Sequence, residues 1–254
     1  MIRPLRNLVA VLAALTGLAL ASGPALAAPV QKAAPAAAPV ATKSLAPASA
    51  HNWNQTIVRT PRDSYLLGNP DGQIKLVEYV SYTCPHCAHF TQESDAQLRL
   101  GMIGPGKGSI EVRNFVRDPV DLTVALLTHC VPTKAFWPTH VMFLTRQPDW
   151  IGLEATATNA QRQRWTTGPL ASRTRAIASD FKFYDMIATR GIDRPAADRC
   201  LADEALATRL AAATKEAEEK DYVQGTPSFV LNGLPLAGTA SWAALKPQIE
   251  ARMN

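Results

Sequence analysis

Two cysteines separated by a proline and a histidine, Cys84-Pro85-His86-Cys87, are the residues of this chain best suited to chemistry. A Cys-x-x-Cys pair can be a redox dithiol, half of a zinc site or the start of a covalent haem attachment. Haem attachment needs a histidine directly after the second cysteine, and Ala88 stands there. Zinc usually takes a second ligand pair of similar spacing. Cys130 and Cys200 are isolated, and His86 and His89 share the turn and helix of the pair, where they would close a metal shell awkwardly. The redox reading is the stronger, metal binding stays as the alternative, and neither a metal nor a cofactor is expected.

Position gives such a pair its reactivity. Pro85 suits a first helical residue, because its missing N–H would be unpaired there anyway. Cys84 then lies at the helix N-terminus, where unpaired N–H groups and the helix dipole favour a negative sulfur. His86 can add a hydrogen bond or a positive charge to the same thiolate. A stabilised thiolate leaves readily and favours the reduced form, so the disulfide would be a strong oxidant. Cys87, one turn into the helix, is expected to be more buried and less acidic, resolving mixed disulfides and not starting them.

The elements that must hold this pair can be read around it. Ile74 to Val80 (Ile-Lys-Leu-Val-Glu-Tyr-Val) alternates and is rich in β-formers, which predicts a largely buried strand. A helix follows to about Arg99, the glycines between 101 and 108 end it, and Ser109 to Val116 reads as a second strand. Strand, helix and strand together have the size of one parallel crossover unit. From Asp118 to about Tyr222 the pattern turns helical, with Val120, Val124, Leu127 and Val131 on one face. After Gly225-Thr226-Pro227 come a short strand Ser228 to Leu231, an Asn232-Gly233 turn into Leu234 to Ala237, and a final helix capped by Ser241. The expected fold is α/β: one small mixed sheet, built from 56–117 and 223–254, with a helical block over 118–222 inserted between the halves.

Other signals fail. Gly101-Met102-Ile103-Gly104-Pro105-Gly106-Lys107-Gly108 nearly spells a phosphate loop, but no Ser or Thr follows the lysine, and the stretch runs from helix to strand, the reverse of the required order. His51, His129 and His140 have no spacing partners and read as structural or exposed, and His89 as a solvated helix residue. Trp137, Trp150 and Trp165 read as packing residues.

The chain has 254 residues, 47% of them apolar and 19% charged, which describes a folded globule with room for a sizeable core. Its net charge of +5 comes without a long basic run, so nucleic-acid binding is not expected. Arg3 and Arg6, an uncharged run from Leu8 to Ala21, the break Ser22-Gly23-Pro24 and the small residues Ala25-Leu26-Ala27 lay out a cleaved signal peptide over 1–27. The run is shorter than the roughly 20 apolar residues of a membrane span. Residues 28–55 are dominated by Ala and Pro and read as a loose linker that cannot offset its own ordering entropy.

The sequence Glu78-Tyr79-Val80-Ser81-Tyr82-Thr83-Cys84-Pro85-His86-Cys87, with Gly225-Thr226-Pro227-Ser228-Phe229 far downstream, resembles the DsbA family of thioredoxin-fold disulfide oxidases. The likeness spans most of residues 65 to 245. It implies a thioredoxin fold with an inserted helical domain, in a periplasmic enzyme that oxidises thiols of newly exported proteins. It further implies re-oxidation by a quinone-linked, DsbB-like membrane partner. The link between an acidic first cysteine and an oxidising couple is known for DsbA itself and is not particular to this chain. By the same resemblance Thr226-Pro227 is a cis-proline loop that turns the Thr226 backbone towards Cys84, ready to pair with an extended substrate. Glu78 would lie under the second cysteine and relay the Cys87 proton, against the plainer reading of an outward-facing strand residue. Disulfide isomerases of the same fold are the alternative in direction, but typically carry a folded N-terminal dimerisation domain, which 28–55 is too short and too Ala/Pro-rich to form; a monomer is expected. A periplasmic copper or zinc carrier using the same cysteines is a third reading. Some DsbA-like enzymes carry a further disulfide in the helical domain, so Cys130–Cys200 can pair, both expected buried; two free buried thiols remain the alternative.

Overall fold

The computed structural model describes residues 51–253, so residues 1–27, read from the sequence as a signal peptide, and the Ala/Pro-rich stretch to residue 50 lie outside the described residues. Six strands form one sheet: β1 (Ile57–Arg59), β2 (Tyr65–Gly68), β3 (Ile74–Val80), β4 (Gly108–Asn114), β5 (Ser228–Leu231) and β6 (Leu234–Pro235). Their spatial order is β1-β2-β4-β3-β5-β6, in which only β3 and β4 run parallel. Helix α1 (Pro85–Leu98) makes the crossover between these two strands and ends in a π-helical turn, Arg99–Ile103. In β3 only Lys75 is exposed, and from Glu78 onward every residue is buried, as a central strand covered on both faces requires.

The helical block contains α2 (Pro119–Cys130), α3 (Thr133–Thr145), α4 (Gln147–Trp150), α5 (Gly152–Thr156), α6 (Asn159–Thr166), α7 (Leu170–Asp180), α8 (Phe183–Ala188), α9 (Arg194–Cys200) and α10 (Glu204–Lys220). Its starts follow local chemistry. Asp118, Asp193 and Asp203 each accept a hydrogen bond from the backbone N–H three residues on, capping α2, α9 and α10. Thr158 and Gln161 make a reciprocal capping box at α6. Val120, Val124, Leu127 and Val131 are all buried, and so are Trp137, Trp150 and Trp165. After β6 the chain closes with α11 (Trp242–Met253), where the Ala244 N–H donates to Ser241 Oγ at 3.3 Å.

The block has no core of its own. A continuous set of buried side chains runs from the sheet into the helices, and Tyr65 of β2 stacks on Phe136 of α3 at 3.6 Å between ring centroids. Cys130 and Cys200, the last residues of α2 and α9, are joined by a disulfide. Both are half-buried, where the sequence suggests full burial, because each stands at the open end of its helix. Among the described residues no helix is long and apolar enough to cross a membrane.

Two features depart from the sequence reading. Strands β1 and β2, three and four residues long, extend the sheet on its β4 side; runs this short carry almost no periodicity. Ordered structure also reaches back into the linker assigned to 28–55. Trp53–Gln55 form a 3-10 turn, and Trp53 packs against the core beside Gly106. A Cβ on Gly106, whose φ is +74°, would stand 2.7 Å from the Trp53 ring nitrogen, so glycine is what lets the indole dock.

Candidate active site

The reactive pair sits where β3 hands the chain to α1. Cys84 is the N-cap residue, with an extended φ of −86° and ψ of 117°, and Pro85 opens the helix. Cys84 is 2% exposed and Cys87 fully buried. Far along the chain the Thr226–Pro227 peptide is cis, and the Thr226 carbonyl accepts from Cys84 Sγ at 3.0 Å. The fold thus brings together Cys84, Cys87, Thr226 and Pro227 from two distant parts of the chain, at the ends of the neighbouring strands β3 and β5.

The two thiols have opposite acidities. Cys84 is pulled down to about 5, first by a hydrogen bond from Cys87, against the cost of burial. The Thr226 side chain and the backbone N–H groups of Cys87 and His86 add to this. The Thr226 hydroxyl is buried and makes no hydrogen bond while Cys84 is a thiol donating to the carbonyl, so it is placed to donate once the sulfur is an anion. Cys87 is pushed well up by burial, by its bond to Cys84 and by the charges of Cys84 and Glu78. The ring of His86, which the sequence suggested would act on the sulfur, is exposed. Its contribution is its N–H, because N–H groups in a first helical turn point back along the axis while the side chains project outward.

Glu78 lies in the middle of β3, in register with Val112 of β4 and Phe229 of β5. It is 3% exposed, and its Oε1 has no hydrogen-bond partner. Burial, with the nearby charge of Asp95 on α1, pushes its carboxyl up to about 8. It is buried within the sheet, and its charge is one of those that raise Cys87.

The sequence reading missed a set of polar side chains that reach this loop from the helical block. Asp121 Oδ1 accepts from the Tyr82 N–H at 2.7 Å, and Asp118 Oδ2 accepts from the Thr83 hydroxyl at 2.5 Å. Gln147 Nε2 donates to two carbonyls, Tyr82 O at 2.6 Å and Cys84 O at 3.0 Å. The Tyr82 hydroxyl bonds Thr128 Oγ1 at 3.2 Å and His140 Nδ1 at 3.0 Å. Asp118-Pro119 is recognisable as a helix start, but a single Gln before Pro148 carries no signal that it would fold back on residues sixty positions earlier.

Beside the cis peptide runs a groove of 690 Å³ lined by Tyr222, Gln224, Thr226, Pro227, Leu236 and Thr239, among others. Tyr222 is 77% exposed on its rim. Among the described residues no group of three or more His, Cys, Asp or Glu side chains is placed to hold a metal ion.

Comparison with known proteins agrees with this geometry. The family described as Thioredoxin matches residues 60–251. The crystal structure of a protein-disulfide isomerase from Novosphingobium aromaticivorans is 60% identical, with a TM-score of 0.73 over 75% of this chain and 97% of that one. Alpha-DsbA1 of Wolbachia pipientis superposes with a TM-score of 0.61 over 80% of this chain and 96% of that one; at 18% identity this likeness concerns the fold alone. A Rickettsia conorii protein named as a candidate protein-disulfide oxidoreductase is 29% identical over 74% of this chain and 63% of its own length. The chain spans less than two thirds of the length of the curated relatives it matches first.

Proposed function

Since this chain belongs to the thioredoxin family and has the DsbA-like form of its fold, we propose that it is a thiol–disulfide oxidoreductase working as an oxidase on exported proteins. The observation that carries the direction is the acidity of Cys84, held down to about 5. A thiolate this stable makes the reduced form favourable, and the disulfide correspondingly oxidising.

The chemistry is two exchanges at sulfur. A substrate thiolate attacks Cys84 Sγ of the Cys84–Cys87 disulfide; the new bond joins substrate to Cys84, and Cys87 leaves as a thiolate. That anion is the basic one of the pair and takes a proton in a buried site, where Glu78, itself held up to about 8, is the group able to supply it. A second substrate thiolate then attacks the substrate sulfur, and Cys84 leaves as the stabilised anion. The substrate gains one disulfide, and the protein keeps the two electrons as a dithiol. Thr226 presents its backbone to an extended peptide, and the groove along Tyr222 and Leu236 receives the adjoining residues. The role of Pro227 is to hold that loop against Cys84. The dithiol would be re-oxidised by a quinone-linked membrane partner of the DsbB kind. The periplasm is the compartment in which this cycle runs, reached through the signal peptide over 1–27. The protein acts as a monomer.

The 60% identity to a protein-disulfide isomerase favours a second reading, in which the same Cys84 attacks wrong disulfides and reshuffles them. The reduction potential of Cys84–Cys87 against glutathione separates the two, together with assays on reduced and on scrambled substrate. We expect an oxidising couple, rapid oxidation of reduced substrate and poor reshuffling. Cys84→Ser should abolish oxidation, and Cys87→Ser should accumulate mixed disulfides. A thioredoxin-like potential, or activity surviving in Cys84→Ser, would overturn the assignment.

A further inference from the structure

We infer that Gln147 is a positioning residue for exchange at Cys84, holding the loop Tyr82–Cys84 so that the first N–H groups of α1 stay aimed at the sulfur. The inference rests on the reading of Cys84 as the exchanging cysteine. Cys84 is the N-cap of α1, and its extended backbone sets where Sγ stands relative to the His86 and Cys87 N–H groups. Nothing within α1 fixes that backbone except the single bond from the Ala88 N–H to the Cys84 carbonyl at 3.2 Å. The Cys84 N–H donates to the Ser81 carbonyl at 3.2 Å, inside the same loop, and Gln147 supplies the constraint from outside it. Its amide has two N–H donors, and they are used on the carbonyls of Tyr82 and Cys84, either side of Thr83.

The amide is 2% exposed, so water does not compete for it and both bonds are made in a site of low dielectric. Asp121 holds the Tyr82 N–H and Asp118 the Thr83 hydroxyl, so each of the three residues ahead of the helix is bonded by a side chain of the helical block. Of the three side chains Gln147 alone binds Cys84 itself, and it carries no charge, so its effect on the thiolate runs through position. The block, which shares the core of the sheet, is thereby the frame of the exchanging sulfur.

The test is Gln147→Met, which nearly keeps the volume and removes both donors, with Gln147→Asn in parallel as a variant that keeps the amide but is one methylene too short to reach both carbonyls. The readout is the thiolate absorbance of reduced Cys84 against pH, followed by the potential of the couple. We expect the Cys84 midpoint to rise by roughly half to one pH unit in each variant, with the couple less oxidising. Thr174→Val is the control, because it deletes another buried bond of the block, Thr174 Oγ1 to the Leu201 carbonyl at 2.7 Å, far from the loop. It should lower stability and leave the Cys84 midpoint where it is. A midpoint unchanged in either folded Gln147 variant, or moved as far by Thr174→Val, overturns the inference. If wild-type Cys84 does not titrate low at all, the oxidase reading fails instead.

Discussion

Replacing Glu78 by glutamine should make the reduced protein more stable than the wild type at pH 8, and the gain should fade as the pH falls. Glu78 is fully buried, one of its carboxyl oxygens is unpartnered, and its folded-state value is about 8 against an ordinary 4.5. Below pH 4.5 the carboxyl is protonated in both folded and unfolded chains, and the acid is at no disadvantage. Between 4.5 and 8 the unfolded chain ionises while the native site keeps its proton, so wild-type stability is lost at about 1.4 kcal/mol per pH unit. The whole window is therefore worth about 5 kcal/mol, of which about 3 has gone by pH 7. Glutamine fills the same space and has no such window. Urea unfolding of both proteins with all active-site thiols reduced, at intervals from pH 5 to 9, measures the difference directly. The titrations of Cys84 and Cys87 occur in both proteins and largely cancel in the comparison. Two stability profiles that run parallel across that range would refute the argument, because they would mean that Glu78 is ionised in the native protein as it is in the unfolded chain.

Two further outcomes follow from the same physics. His140, buried and held down to about 4 mainly by burial, should cost the wild type about 3 kcal/mol as the pH falls from 6.5 to 4, since only the unfolded chain takes up the proton; denaturant midpoints of His140→Phe should be nearly free of this loss, and an equally steep acid loss in the variant would exclude the assignment. Cys130 and Cys200 are 70 residues apart in sequence, so replacing both by alanine should lower stability by up to about 4 kcal/mol and leave exchange at Cys84 unaltered; native protein after mild reduction should show two reactive thiols, and four would mean the bond is not structural.

The sheet and the inserted helices divide the work at this site. The sheet supplies β3, which delivers Cys84 and buries Glu78, and β5, which delivers the Thr226–Pro227 loop. The inserted helices supply no sulfur to the exchange, yet Asp118, Asp121 and Gln147 hold the loop in front of it. A substitution in α4 can therefore change chemistry at α1 without touching a substrate.

The cysteine pair, the helix behind it, strands β3 and β5 and the long helical stretch were legible in the sequence, because each is written in neighbouring residues: period-two apolar runs, a proline at a first helical position, apolar residues recurring on one helical face. Glu78 could be named there only through a family resemblance, since a charged residue in a strand reads equally well as facing out. Its burial depends on β4, β5 and α1 closing over it, and those come from distant stretches of chain. The same holds for β1 and β2, too short to show a period and made into strands by pairing with β4. His86 shows the limit from the other side: its place beside Cys84 in sequence suggested a role for the ring, whereas the structure shows the residue exposed and its backbone N–H on the sulfur. Gln147 had no local mark at all. Hydrogen bonds between residues more than sixty positions apart depend on how the helical block packs against the sheet, and that packing is a property of the whole buried core, which no short window of sequence contains.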